Sequence, residues 1–385
     1  MGGRVAFRVV SDSWPALAIA VGLSLLLLGV VVALVLSGTT YRAVHGTRGR
    51  RRPDRSTFGR GRERRPKRAA IVVNPTKFDD VAAVTAELAA ASAAHGWSEP
   101  VVLETTAEDP GTGQARQALE EGVDLVCPLG GDGTIRAVAA ALAHTRTPMG
   151  LLPRGTGNLL ARNLDVPLAD LQEALRVAFT GRNRAIDVAW VELDPRDEVA
   201  ADDEGQAEQP VEGPPVRRHP FLVMAGMGLD AAIMGNTSEP LKERLGWVAY
   251  VLTGLRSIFI RRFGVTWSVD GREQPGRNAR TIVVGSCGTL TGGITLMPQA
   301  EVDDGMLDAV VVSPRTIVGW AGLAGRVLSR SRTDTTRLTR ASGSDIEVAV
   351  DRRQLVQVDG DVIGEADRLH LTVDPQALIV RVEAR

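Results

Sequence analysis

Four short segments gather the residue types that bind anions and move protons. Gly130-Gly131-Asp132-Gly133-Thr134 follows a short apolar run at 124–128 and precedes a helical stretch at 135–144. Glycines let the main chain approach phosphate oxygens with its N–H groups presented, and the helix that follows adds its positive end. Asp132 is placed to hold a metal-bound or hydrogen-bonded network there. Taken alone, the segment reads equally as a plain turn, since Gly and Asp are the commonest turn residues. A second Gly-rich turn, Pro153-Arg154-Gly155-Thr156-Gly157-Asn158, comes after the next apolar run, and Asn74-Pro75-Thr76-Lys77 closes an earlier one. Three turns converging on one edge are harder to obtain by chance than any one of them. Val358-Asp359-Gly360-Asp361 then supplies two carboxylates close to the C terminus. By itself Asp-Gly is first a hairpin turn.

The elements that must carry these turns follow from periodicity. Apolar runs at 69–75, 101–103, 124–128 and 149–152 read as short buried strands, and 81–95, 113–121 and 135–144 as helices. This alternation predicts a parallel α/β sheet, in which ligands sit outside the carboxyl ends of the strands. Beyond a Pro-rich acidic stretch at 194–219, read as a disordered surface insertion, short β-like runs separated by turns predict an antiparallel domain. One segment with helical spacing, 239–263, interrupts them. It reads as core or as a cover over the way into the site.

Composition sets the limits. The chain has 385 residues, 44% hydrophobic and 24% charged, enough for two domains with their own cores. Its 41 glycines and 20 prolines follow no fixed period, which excludes collagen-like and repeat architectures. Two cysteines, Cys127 and Cys287, make no disulfide framework and no zinc-ligand spacing. Residues 1–68 hold 14 Lys/Arg against three acids, leaving 31 basic and 43 acidic residues in 69–385. From Pro15 to Ser37 no residue is charged, and about 20 such residues span a hydrocarbon core. The expectation is a tail at 1–14, a single transmembrane anchor at 15–37 and a basic linker at 38–68 lying against an anionic membrane surface. From the positive flank the body of the protein is expected on the cytoplasmic side. After Tyr41 no aromatic residue except Phe58 interleaves the basic run, which speaks against nucleic acid as a partner. No particular oligomeric state is implied.

In order and spacing the motifs resemble the bacterial diacylglycerol kinase-like lipid kinases, relatives of sphingosine and ceramide kinases. The resemblance runs from about 69 to 385. It rests on NPT at 74–76, GGDGT at 130–134, GTGNLLARNL at 155–164, Asp187 in AIDVA, GMGLDA at 226–231 and LKERLGWVAYVLTGLR at 241–256. It closes with MPQAEVDDGMLDAVVV at 297–312 and VDGD at 358–361.

The resemblance implies an α/β ATP-binding domain at 69–187, to which 370–385 returns, and a β-sandwich lipid-substrate domain at 188–369. It implies transfer of the ATP γ-phosphoryl group to the hydroxyl of diacylglycerol or a similar lipid, with Mg2+ as cofactor. Asn74, Thr76, Lys77, Thr106, Gly130, Gly131, Asp132, Gly133, Thr134, Thr156 and Arg162 are the implied nucleotide contacts. Asp132 and Asp187 belong to the implied acid network, and Asp359 or Asp361 accepts the lipid proton. Asp303, Asp304 and Leu307 match a structural magnesium site of some relatives, although an ordinary acidic turn fits the same residues. Two positions depart from the pattern. Leu159 stands where many bacterial relatives carry Asp, and Asp361 replaces the more usual Glu, one methylene shorter. Phosphorylation of a sphingoid lipid, phosphorylation of NAD, which also uses GGDGT, and non-catalytic nucleotide binding at a membrane are the alternatives.

Overall fold

The computed structural model describes residues 65–195, 217–228, 261–289, 295–314 and 338–384. The first sheet is parallel, with β1 (Ala69–Val73) between β2 (Val101–Glu104) and β3 (Leu125–Gly130), and β4 (Leu152–Pro153) beyond β3. Every residue of β1 is buried because helices cover both faces. Ala70 and Val72 pack with residues of α2 (Thr112–Glu120) and α3 (Asp132–Leu142), among them Ala115, Ile135 and Val138. Ala69, Ile71 and Val73 pack on the other side with Leu88 of α1 (Val81–Ala94) and Leu175 and Phe179 of α5 (Leu171–Thr180). A fully buried Ile or Leu in such a layer contributes about 1.5–3 kcal/mol. Asp80 caps α1 by accepting the Ala83 N–H at 2.9 Å, and Gly96 at φ +74° ends it. A single turn of helix, α4 (Leu159–Asn163), follows β4.

The second sheet is antiparallel and ten-stranded. Its path is β12 (Leu338–Gly343), β11 (Leu307–Val312), β10 (Thr281–Gly285), β7 (Met224–Gly228), β13 (Asp345–Val358), β14 (Asp361–Val382), β5 (Arg182–Leu193) and β6 (Arg217–Phe221). The hairpin of β8 (Phe263–Val269) and β9 (Arg272–Ala279) joins through β8 and β13. The sheet encloses a core that includes Phe221, Met227, Phe263, Trp267, Val348, Val356 and Leu371.

Two features bind the halves together. The 22-residue strand β14 begins at the Asp359-Gly360 turn and runs back to the parallel sheet. There Met149 donates its N–H to Ile379 O and accepts from Arg381 N, both at 2.8 Å. Strand β5 runs unbroken through position 187 and pairs with β14 on either side of it, with a register shift between Asp374 and Leu378.

Several expectations change. The single-pass membrane location is corrected: among the described residues no helix is long and apolar enough to cross a membrane. The segment 15–37 and most of the basic linker lie outside the described residues. The fourth parallel strand is Leu152–Pro153, with Met149 as an isolated bridge to Val126 and Val380; between them a side chain on Gly150 would meet Ala178 Cβ and Cys127 Sγ, both at 2.8 Å. Helix α3 begins at Asp132, three residues early, since the GGDGT turn is itself its first turn. Residues 217–219 form part of β6 rather than the insertion, whose 196–216 lies outside the described residues. Phe263 opens β8; the rest of the interrupting segment, up to 260, also lies outside them.

Candidate active site

The parallel ladders put the carboxyl ends of β1, β2, β3 and β4 on one edge: Val73 pairs with Glu104 and Leu129, and Gly130 with Pro153. The Gly-rich turns meet there main chain to main chain. Arg154 N donates to Gly130 O at 2.7 Å. A side chain on Gly155 would meet the Gly131 Cα at 2.8 Å, and one on Gly157 would meet the Asp132 Oδ2 at 2.6 Å. Only glycine permits this approach.

Asp132 sits in the first turn of α3 and fastens the second turn to the first. Its Oδ2 accepts Asn158 N at 2.8 Å and its Oδ1 accepts Leu159 N at 2.6 Å. Asn158, buried and left-handed at φ +47°, folds back on Gly155, accepting its N–H at 2.9 Å and donating to its carbonyl at 2.7 Å. Leu159 therefore contributes its main-chain N–H, while its side chain is buried in the core below.

The 358–361 turn arrives from the other sheet. Asp359 (φ +49°) and Gly360 (φ +95°) make the tight hairpin between β13 and β14, the conformation Asp-Gly favours. Asp359 is buried and fully occupied: its Oδ1 accepts Val223 N and Met224 N at 2.9 and 3.0 Å, and its Oδ2 accepts Leu222 N at 3.0 Å. Asp361 faces solvent over half of its side chain (56%). Its Oδ2 takes a 2.7 Å hydrogen bond from Arg136 and lies over Gly133, where a Cβ would be 3.1 Å away.

Arg136 was not among the residues singled out by sequence. Its position four residues after Asp132 on one helix face was the available signal. Arg154, whose guanidinium stands 5.7 Å over the Phe78 ring and joins the β1 and β4 turns, was missed as well.

The other expected residues divide by place. Asn74 holds the β1 turn closed, accepting Thr76 N at 3.1 Å and Thr76 Oγ1 at 2.7 Å, and its own N–H reaches Leu129 O. Thr76 and Lys77 are exposed on the same edge. Thr106 lies just beyond β2, its Oγ1 accepting Asp109 N at 3.1 Å. Thr134 is buried beneath the turn, Thr156 is exposed above it, and Arg162 Nε donates to Gly157 O at 2.7 Å.

Asp187 does not join this group. Its oxygens accept Gly305 N at 2.7 Å and Gln376 N at 2.8 Å, at the bulge where β14 leaves regular pairing with β5. Asp303 and Asp304 are its neighbours. Asp303 pairs with Arg184 at 2.8 Å and Asp304 accepts Met306 N at 3.0 Å, while Leu307 is buried at the start of β11. Among the described residues no three His, Cys, Asp or Glu side chains are grouped to hold a metal ion.

Burial governs the electrostatics. The Asp132 carboxyl is pushed up to about 6, chiefly by desolvation; the Leu159 and Asn158 amides oppose this and the Asp359 and Asp361 charges reinforce it. Desolvation also raises Asp359, against Arg136 and its three amides. A raised carboxyl in the folded state binds more protons than the unfolded chain, so stability falls as pH climbs through its titration, which for Asp132 runs from about 4 to 6. For Asp132 the loss is about 2–3 kcal/mol of unfolding free energy. Urea midpoints at pH 4.5 and 7 should therefore fall more in the wild type than in Asp132→Asn. Parallel declines would show that Asp132 does not titrate as described.

Comparison with known proteins agrees with this architecture. The diacylglycerol kinase catalytic domain model matches residues 68–191, and the YegS C-terminal NAD kinase beta sandwich-like domain model matches 222–382. A Pseudomonas aeruginosa protein named "Probable lipid kinase YegS-like" is 32% identical over 308 residues, covering 77% of this chain and 89% of the relative. The Bacillus subtilis protein named diacylglycerol kinase is 25% identical over 305 residues, covering 77% and 91%. In fold, the crystal structure of a diacylglycerol kinase from Bacillus anthracis superposes with a TM-score of 0.62 at 22% identity, covering 82% of this chain and 97% of that one. The chain belongs to the diacylglycerol kinase-like family of lipid kinases, and it is a kinase.

Proposed function

We propose that this kinase transfers the γ-phosphoryl group of ATP to the hydroxyl of diacylglycerol or a similar neutral lipid. The observation that carries the reading is the meeting of Asp361 with the GGDGT turn, its carboxylate over Gly133 and tied to α3. Main-chain N–H groups of that turn and the start of α3 cradle the phosphates. Asn74, Thr76, Lys77, Thr106, Thr156 and Arg162 surround them from the same sheet edge. Asp361 orients the lipid hydroxyl and accepts its proton as the oxygen attacks the γ-phosphorus. The bond to the bridging oxygen breaks and ADP leaves. Phosphoryl transfer needs this positioning and charge neutralisation more than covalent help.

The acids fit a magnesium ion of the kind such transfers use. Mg2+ prefers oxygen ligands and takes one or two carboxylates alongside substrate phosphates and water, so no all-protein cage is required. Asp132 would hold it through water, which leaves for the lipid proton the Asp361 oxygen that is unengaged among the described residues. Bound there, it would neutralise phosphate charge. At 303–307 the fit is poor, because Arg184 occupies Asp303 and Asp304 is spent on its own turn.

The test is transfer of labelled γ-phosphate to dioleoylglycerol, a sphingoid base, ceramide and NAD, the lipids in mixed micelles with magnesium, using wild type and Asp132→Ala. Labelled phosphatidic acid that vanishes in the variant supports the proposal. Label on a sphingolipid or on NAD, or on nothing, overturns it.

A further inference from the structure

Among the described residues, Arg136 is a cation of the site that the reaction as described does not use. Arg136 lies one helical turn beyond Asp132 on α3, so both side chains leave the same face of the helix. Asp132 reaches sideways to the second Gly-rich turn. Arg136 reaches across to the other sheet, where it grips the 358–361 hairpin at three points: Val358 O at 3.0 Å, Asp361 Oδ2 at 2.7 Å and Asp359 Oδ2 at 4.0 Å. Its side chain is only 15% exposed, so this is a sheltered contact rather than a surface ion pair. A guanidinium presents several donors in a rigid plane and can hold a carboxylate and a carbonyl together, which an ammonium does less well.

The hairpin has a second restraint, internal to its own sheet. Asp359 is pinned by Leu222, Val223 and Met224, and Gly360 N donates to Gln357 Oε1 at 2.7 Å. These bonds fix the turn but leave the Asp361 side chain free to swing. Arg136 is the only described side chain bonded to it, and it engages one carboxylate oxygen while leaving the other unengaged. Asp361 is short, with a single rotatable bond before its carboxyl carbon, so a tilt of the hairpin moves its oxygens directly.

We infer that Arg136 is a positioning residue: it registers the Asp359-Gly360-Asp361 hairpin on α3 and sets the Asp361 carboxylate beside the phosphate cradle. The inference rests on the proposed role of Asp361 as proton acceptor. It also predicts that Arg136 acts on turnover through Asp361 and not on nucleotide binding. Misplacing a reacting group by about 1 Å can cost up to about 100-fold in rate.

The experiment measures kcat and the KM for ATP with dioleoylglycerol micelles and labelled γ-phosphate for wild type, Arg136→Met, Arg136→Lys, Asp361→Asn and Arg136→Met/Asp361→Asn. Thermal unfolding of each is followed by circular dichroism. Arg136→Met should lose about 30- to 100-fold in kcat with KM for ATP within about threefold, and Arg136→Lys should recover part of the loss. In the Asp361→Asn background the Arg136→Met change should cost less than about twofold, since the group it positions is already disabled. An undiminished cost in that background, an unchanged kcat in the single variant, or a Lys variant no better than Met at equal fold content would overturn the inference. If Asp361→Asn itself keeps wild-type turnover, or the wild type labels no lipid, the functional reading fails, and it fails in data separate from the Arg136 comparison.

Discussion

Asp361→Asn is expected to lower kcat about 10³-fold while leaving nucleotide affinity and thermal stability close to wild type. Amide nitrogen cannot take a proton from the lipid hydroxyl, and a positioned base contributes about 10²- to 10⁴-fold. The side chain is half exposed and makes one hydrogen bond, to Arg136 at 2.7 Å, which an Asn oxygen can still accept. Fold and phosphate cradle therefore survive. Steady-state turnover on micellar diacylglycerol, beside equilibrium binding of a non-hydrolysable ATP analogue, separates the two quantities. A variant that turns over normally would remove Asp361 from the chemistry.

For its partner two residues away the opposite signature is expected. Asp359→Ala should cost about 3 kcal/mol or more of unfolding free energy, because it leaves three buried main-chain N–H groups at 222–224 without an acceptor. Each unsatisfied buried donor costs about 1–3 kcal/mol. Part of that sum is returned, since burial already penalises the carboxylate and holds its pKa above the usual range. Asp359 is also only 5% exposed, against the half-exposed side chain of Asp361, which is the acid that reaches the cleft. Urea denaturation of wild type and variant reads the difference. A variant as stable as wild type would mean that the 222–224 amides find other acceptors.

These two acids also show how far sequence reading reached. The spacing VDGD offered either carboxylate as proton acceptor, and the Asp-Gly pair offered a hairpin. The structure contains both: the turn is the hairpin, and it delivers the second acid to the cleft. What told the acids apart was the run of amides at 222–224, about 135 positions away in the chain and carrying no polar side chain to announce itself. The same blindness applies to Leu159. Read as a lost acid, it turns out to serve Asp132 through its main chain, a contribution no side-chain pattern encodes. The parallel sheet was legible because β1 and β3 are buried throughout and β3 and β4 run into glycine turns. The partners of Asp187, the Gly305 and Gln376 amides with the Asp303 and Asp304 charges beside them, left no mark in the AIDVA pattern. The membrane expectation came from hydropathy at 15–37, and the helices described at 65–384 provide no span to match it.

Strand β14 ties this chemistry to the order of synthesis. Leu378, Val380 and Val382 are buried in the same core as Ile135 and Leu142 of the nucleotide-side layer, and Met149 finds its main-chain partners at Ile379 and Arg381. The parallel sheet, whose strands lie between residues 69 and 153, therefore waits for residues 378–382 before its edge is closed. A nascent chain that stops before residue 374 retains every acid and glycine of the cleft, yet presents an open sheet edge, the feature that invites aggregation. For this kinase a late frameshift would remove no catalytic group and would still be expected to yield an inactive product.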